Sequence, residues 1–158
     1  MLRRVISGGQ DGVDVAALRA AKAVGLQTGG YCLESCITVS GSKPDRMREF
    51  CLSGVLGCDY PARTKLNVQT SDATFLVGPN LNTPGSRLVK RLTRELGKPL
   101  ISLTGGSIPY IQQDAEEVAA TILRTRAEVL NVAGNRDAPE EPVQAFLEAV
   151  FRKVLEEK

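Results

Sequence analysis

A glycine-rich loop near the start of the chain carries the residue types that bind phosphate groups. Gly8, Gly9 and Gly12 follow a short apolar segment and precede a stretch rich in alanine and leucine. This strand–loop–helix order places backbone N–H groups at the positive end of a helix dipole, where an anion is stabilised. Without side chains at these three positions, a ligand can approach the backbone closely. The loop therefore predicts a site for an anionic, phosphate-bearing small molecule.

A second helix is predicted to open in the same way after Thr83. Thr83 is a candidate N-cap and Pro84 suits the first helical position, so Gly85 and Ser86 lie where backbone N–H groups face an anion. Like the first loop at Gly8-Gly9, further turns are predicted at the ends of strands, at Gly29-Gly30, Gly78-Pro79, Gly105-Gly106 and Ala133-Gly134. Tight turns between strands and helices need glycine whatever they bind, so a purely structural interpretation stays open beside phosphate binding.

Arg63 is the candidate charged residue of the site. Its guanidinium could clamp a phosphate or carboxylate, or it could pair with Asp59 on the same predicted helix. Asn67 lies four residues further on and shares its helix face. Asp11 and Asp14 could contact ligand hydroxyls or Mg²⁺, although capping of the first helix also explains carboxylates there.

The chain lacks motifs and residues that several other functions require. It contains neither a G-x-G-x-x-G nor a G-K-[ST] motif, and it has no histidine to act as a general base. The four cysteines, Cys32, Cys36, Cys51 and Cys58, do not have paired C-x₂-C zinc spacing, which favours free thiols over a metal site. Five basic residues between 87 and 98 are more typical of a solvated helix face than of a nucleic-acid site.

The order of predicted elements indicates an α/β fold. Apolar strands are predicted at residues 2–7, 26–32, 73–77, 99–103 and 128–133, and helices at 13–24, 61–70, 84–96, 114–124 and 142–156. This alternation is typical of a doubly wound, mostly parallel sheet in which ligands bind at the carboxyl ends of the strands. Residues 33–58 have no clean period and are predicted to form an irregular loop.

The composition is that of a single globular domain covering residues 1–158. A net charge of +2 gives little reason to expect nucleic acid as a partner. The chain has no apolar run long enough for a signal peptide or a membrane span, so we expect a cytoplasmic protein without membrane contact.

Several motifs, in order along nearly the whole chain, resemble the molybdenum cofactor carrier protein family. They lie at residues 7–18, 28–32, 59–74, 97–99 and 131–136. The resemblance implies a Rossmann-like fold related to the Lonely Guy phosphoribohydrolases and the DNA-processing protein of natural transformation. It also implies a homo-oligomer, possible molybdoenzyme partners, and a pocket for the pterin phosphate of the molybdenum cofactor (molybdopterin) or a similar ligand. The cofactor-binding residues that it implies are Ser7, Gly8, Gly9, Gln10, Asp11, Gly12, Gly30, Arg63, Thr64, Asn67, Pro84, Gly85 and Ser86.

Two departures from the related families bear on function. The phosphoribohydrolases carry a catalytic glutamate in P-G-G-x-G-T-x-x-E, and Val89 occupies its place here. Valine cannot stabilise a developing charge, which disfavours that activity, and no catalytic residue is assigned. Residues 34–58 also differ from the family pattern. The leading hypothesis is a carrier of a phosphate-bearing molecule; a nucleotide hydrolase or transferase using Asp11, Asp14 or Asp72 is the alternative, and nucleic-acid binding is the third.

Overall fold

The computed structural model describes residues 1–104 and 112–157, and it describes the side chains of all of these except residues 112 and 113. The turn predicted at Gly105-Gly106 lies outside the described residues. Of the helices within them, none is both long enough and apolar enough to cross a membrane.

A six-stranded parallel sheet forms the centre of the described chain. The strands are β1 (Arg4–Ile6), β2 (Gln27–Leu33), β3 (Ile37–Thr38), β4 (Gly41–Ser42), β5 (Leu52–Val55), β6 (Ala73–Gly78), β7 (Leu100–Thr104) and β8 (Val129–Gly134). The sheet has the order β5-β2-β1-β8-β6-β7, and every neighbouring pair in it is parallel. The remaining strands, β3 and β4, pair antiparallel as a small hairpin. The predicted doubly wound α/β fold is confirmed.

Helices cover both faces of this sheet. They are α1 (Val13–Ala23), α2 (Pro44–Phe50), α3 (Tyr60–Thr70), α4 (Pro84–Glu95), α5 (Gln112–Thr125) and α6 (Glu140–Glu156). Strand β6 is buried throughout: Phe75 and Val77 pack on the α1, α5 and α6 side, whereas Leu76 packs with Val89 of α4 on the other. A continuous apolar run is typical of a parallel strand covered on both faces.

Local signals set the boundaries of the two helices nearest the site. Thr83 caps α4 by accepting a hydrogen bond from the Ser86 N–H, with Pro84 in the first turn, as predicted. Asp59 caps α3 by accepting from the Ala62 N–H at 2.9 Å. This bond gives the Asp59 carboxylate a structural role at the helix end.

The structure differs from the sequence prediction at residues 33–58. The predicted irregular loop contains the β3–β4 hairpin, helix α2 and strand β5, which extends the sheet beside β2. Its apolar side chains Cys36, Phe50 and Leu52 pack with Val15 and Leu18 of α1 in a separate small core. Elements of two to seven residues are too short to show a period, so only these long-range contacts define them.

Candidate functional site

A cavity of about 530 Å³ lies beyond the carboxyl ends of β1, β6 and β8. It is bordered by Gly8 after β1, by the start of α4 after β6, by residues 134–137 after β8 and by one face of α3. The chain runs outward from β1 through β2 and β5 before it crosses to β6, so the strand order reverses at this point. Doubly wound sheets bind their ligands at such a reversal.

The guanidinium of Arg63 is buried in this cavity, and two of its three nitrogen atoms have no hydrogen-bond partner among the described residues. Only 4% of the residue is exposed, and among residues 1–104 and 112–157 neither its Nε nor its Nη2 meets an acceptor. The guanidinium carbon lies 4.4 Å from the ring centre of Tyr60, and a Cβ at Gly8 would overlap the same group. Burying a cation is unfavourable unless an anion or acceptor pairs with it. Arg63 therefore presents unsatisfied donors to whatever occupies the cavity.

Two further donors belong to residues that line the same cavity. The Thr64 hydroxyl is buried and also has no partner within the described residues. At the start of α4, Pro84 has no N–H, and the Gly85 N–H has no acceptor inside the helix. The positive end of the α4 dipole adds to this concentration of donors.

Asp14 is the buried carboxylate of the cavity. Burial raises its pKa to about 6, and the Arg63 charge together with backbone hydrogen bonds from Gln10 and Gly8 offsets part of that rise. The Gln10 N–H donates to its Oδ2 at 3.3 Å. Within the described residues Asp14 and Arg63 form no ion pair, so Asp14 lowers the cost of burying the Arg63 charge without accepting from its Nε or Nη2.

In the structure, backbone N–H groups of the first glycine loop already have acceptors within the protein. The Gln10 N–H donates to Asp14, and the Gly12 N–H donates to Glu140 at 3.1 Å. A Cβ at Gly12 would also overlap the backbone of the loop before α6. The carboxylates of Asp14 and Glu140 thus occupy the N-terminus of α1, where we had predicted a ligand anion.

Other predicted binding residues of this region stabilise the protein itself. The Ser7 hydroxyl donates to a backbone carbonyl of α1 and accepts from the Gly9 N–H at 3.3 Å. Asp11 forms an ion pair with Arg46 at 2.9 Å. Gly30 has a φ of 125°, and a Cβ there would overlap the Ser7 backbone. These residues do not line the cavity, whereas Gly8 does.

Asn67 lines the cavity, but its side chain is already engaged. Its Oδ1 accepts from the Tyr31 N–H at 2.8 Å and its Nδ2 donates to the Tyr31 carbonyl at 2.9 Å. Asn67 therefore fastens α3 to β2. Among the predicted residues, the structure brings Gly8, Arg63, Thr64, Asn67, Pro84, Gly85 and Ser86 together around one cavity.

Several residues that line the cavity were not predicted from the sequence. Asn135 and Arg136 follow β8 at the same sheet edge, and Tyr60 begins α3. Asn135 hydrogen-bonds the backbone of Asn80 through both ends of its amide, whereas Arg136 is exposed at the rim with its guanidinium 5.5 Å from the Tyr60 ring. Asn135 and Arg136 directly follow a predicted strand, and this position was the sequence signal that could have identified them.

The three carboxylates considered for catalysis have different environments. Asp72 accepts from the N–H groups of Glu128 and Val129, at the amino end of β8 and thus at the edge opposite the cavity. Asp11 is paired with Arg46. Asp14 alone of the three lines the cavity.

All four cysteines are free thiols, and Cys32 and Cys36 are buried outside the cavity lining. A hydrogen bond between them lowers the pKa of Cys32 and raises that of Cys36. Within the described ranges, no three histidine, cysteine, aspartate or glutamate side chains come together as a metal site would require.

The basic face of α4 is partly used within the fold. Lys90 donates to the Leu81 carbonyl, and Lys98, just after the helix, donates to the Ser71 carbonyl. Arg91 pairs with Glu95. Two of the five basic residues therefore bond backbone carbonyls, and one pairs with a carboxylate.

Comparison with known proteins agrees with the motif resemblance. Residues 5–155 match the family described as the Circularly permutated YpsA SLOG family. A crystal structure of a "Putative molybdenum carrier protein" from Syntrophus aciditrophicus superposes with a TM-score of 0.80 at 26% identity, covering 98% of this chain and 95% of that one. A search of curated proteins finds no significant match. The chain belongs to the Circularly permutated YpsA SLOG family.

Proposed function

We propose that this protein binds a phosphate-bearing small molecule in the cavity and acts as its carrier, with the molybdenum cofactor as the candidate ligand. The observation that carries the proposal is the buried guanidinium of Arg63, whose Nε and Nη2 have no hydrogen-bond partner among the described residues. A phosphate presents several acceptors to a planar set of N–H donors, which suits an arginine without competing partners. The structural likeness to a molybdenum carrier protein supports the identity of the ligand.

The donors of the cavity would each have a place in this complex. Arg63 would bind the phosphate, the Thr64 hydroxyl would donate to a second oxygen, and Gly85 would add its backbone N–H at the start of α4. The described lining residues fit the phosphate group of the cofactor. They include no cysteine, so the protein would hold the cofactor through its phosphate and its organic part rather than through a bond to the metal.

Isothermal titration calorimetry with pyrophosphate, and with molybdenum cofactor followed by pterin fluorescence, tests this proposal. Thr64→Val keeps the shape of the side chain but removes the unpartnered hydroxyl, so binding should weaken by roughly three- to tenfold. Thr70→Val is the matched control on the same helix, because Thr70 is exposed and bonds the Leu66 carbonyl. Absence of binding by the wild type, or equal affinity in both variants, would contradict the proposal.

A nucleotide-processing enzyme is the second candidate, and Asp14 is the observation that favours it. Its pKa of about 6 keeps part of the carboxyl protonated near neutral pH, as a general acid requires. Release of adenine or phosphate from AMP, abolished in Asp14→Asn, would support an enzyme. If the wild type binds AMP but does not convert it, the enzyme function is excluded and the carrier function remains.

The proposal also includes delivery of the ligand to molybdoenzymes by a homo-oligomer. Sedimentation of the purified protein, alone and mixed with a molybdoenzyme lacking its cofactor, tests both parts. A monomer that never co-sediments with such an enzyme would contradict them.

A further inference from the structure

A second depression of about 510 Å³ adjoins the cavity. The two share five lining residues, namely Val39, Tyr60, Pro84, Gly85 and Arg136. The remainder of this outer groove is mainly apolar, with Leu33, Ile37, Pro61 and Leu88 among its walls. A ligand bound at Arg63 can therefore extend past Tyr60 and Arg136 into an apolar compartment.

The β3–β4 hairpin forms one wall of the groove, and the glycine loop holds it in place. The Gln10 side chain donates to the Ile37 carbonyl at 3.0 Å, and the Ser40 hydroxyl donates to Asp11 at 2.6 Å. Asp11 is in turn paired with Arg46. Burial raises the pKa of Asp11, but the hydrogen bonds from Ser40 and Arg46 and the Arg46 charge outweigh burial and lower it overall. The lowered pKa favours the ionised carboxylate, which accepts from Ser40 on the hairpin and pairs with Arg46.

This wall exposes apolar side chains that a protein surface would ordinarily cover. Ile37 is 49% exposed and Val39 is 67% exposed, although both are β-branched hydrophobic residues. Contiguous exposed apolar surface next to a polar pocket is typical of a ligand-binding groove. At the boundary, Arg136 adds a flat guanidinium, a group that stacks well on planar rings.

We propose that the outer groove binds the body of the same ligand, and that this ligand is a phosphate ester of a planar ring compound. Ile37, Val39 and Leu88 determine this specificity, and Gln10 and Asp11 position the hairpin. The inference rests on the proposed function, because the phosphate at Arg63 fixes where the ring lies. It excludes inorganic phosphate and simple sugar phosphates as preferred ligands.

Competition binding with three probes tests this specificity. Flavin mononucleotide, whose fluorescence reports binding, and AMP carry planar rings, whereas ribose 5-phosphate has the phosphate ester without a ring. The wild type should bind the two ring compounds at least about tenfold more tightly than ribose 5-phosphate, since the ring buries apolar surface in the groove. Ile37→Ser and Leu88→Ser should each lose most of that preference while they keep their affinity for ribose 5-phosphate.

Leu56→Ser is the matched control for Leu88→Ser. Leu56 is 80% exposed and lines neither the cavity nor the groove, so the ring preference should stay unchanged. Because the Ile37 side chain is half exposed, its replacement should leave the fold intact. Circular dichroism checks this.

Four results would overturn the inference in distinguishable ways. Equal affinity for all three probes, lost on replacing Arg63, would remove the ring subsite and leave the phosphate site. A ring preference that survives both groove variants would place the ring elsewhere. Binding of no probe would remove the proposed function as well. A dimer that dissociates in Leu88→Ser would make the groove an interface between two copies of the chain.

Discussion

We expect that replacing Arg63 by methionine will raise the stability of the protein while it removes anion binding. Methionine has a similar length, fills the same space beside Tyr60 and has no hydrogen-bond donor. The guanidinium that it replaces has two buried nitrogen atoms without acceptors. A binding residue that lowers the stability of the empty protein gives effects of opposite sign on stability and on binding when it is replaced.

The size of the stability effect follows from these contacts. A buried donor without an acceptor costs about 1–3 kcal/mol, and the stacking of Arg63 on Tyr60 returns about 1 kcal/mol. Removing two such donors should therefore stabilise the protein by about 2 kcal/mol. For a chain of 158 residues this corresponds to a rise in Tm of roughly 4–8 °C.

The stability gained in Arg63→Met should depend on pH because the charge of Asp14 interacts with that of Arg63. At pH 5 the carboxyl of Asp14 is mostly protonated, since burial raises its pKa to about 6, and the variant loses no charge interaction. At pH 8 the ionised Asp14 would lose its neighbouring cation, so the gain should shrink. The increase in Tm should therefore be larger at pH 5 than at pH 8.

Differential scanning calorimetry at both pH values, with calorimetric titration of pyrophosphate at pH 7, measures the two effects. Arg94→Met is the matched control, because Arg94 is exposed in the last turn of α4, outside the cavity lining, and removal of its charge should change neither quantity by much. Affinity for pyrophosphate should fall at least about tenfold in Arg63→Met. A variant that melts earlier at both pH values and still binds pyrophosphate normally would refute the reasoning.

Three further predictions concern residues around Arg63. The free energy of unfolding should fall by about 3 kcal/mol as pH rises from about 4 to 6, because the pKa of Asp14 is raised from 3.8 to about 6 in the folded state. Urea unfolding across this pH range measures the fall, and Asp14→Asn should remove it. Asn67→Ala should destabilise the protein by about 3 kcal/mol, because both backbone polar groups of Tyr31 lose their partner; urea unfolding measures this, and a loss below 1 kcal/mol would contradict it. Gly8→Ala should weaken pyrophosphate binding by roughly tenfold, because the new Cβ displaces the guanidinium; calorimetry showing unchanged affinity would argue against that contact.

Much of the fold could be predicted because its signals are local. The cap formed by Thr83 and Pro84 and the continuous apolar strand at residues 73–77 each depend on a few neighbouring residues. Strand β5 could not be predicted in this way. Its four residues owe their conformation to pairing with β2 and to packing under α1, which no local pattern records.

The candidate site could be predicted only in part, for a similar reason. Arg63 and Gly85 were predicted because charge type and helix position indicate an anion site, and both line the cavity. The first glycine loop fits an anion-binding pattern, yet the carboxylate that accepts from the Gly12 N–H is that of Glu140, 128 residues further along the chain. Asn67 likewise fits a binding pattern, yet its amide is engaged by Tyr31, 36 residues away. Sequence spacing cannot tell which polar groups the fold itself uses.

Native mass spectrometry of the freshly purified protein tests the central claim most directly. The wild type should carry a ligand whose mass and fragments include a phosphate ester, and Arg63→Met purified in parallel should not. A wild type and an Arg63→Met variant with the same spectrum, neither shifted in mass nor stabilised by added phosphate esters, would contradict a phosphate-binding role for the cavity.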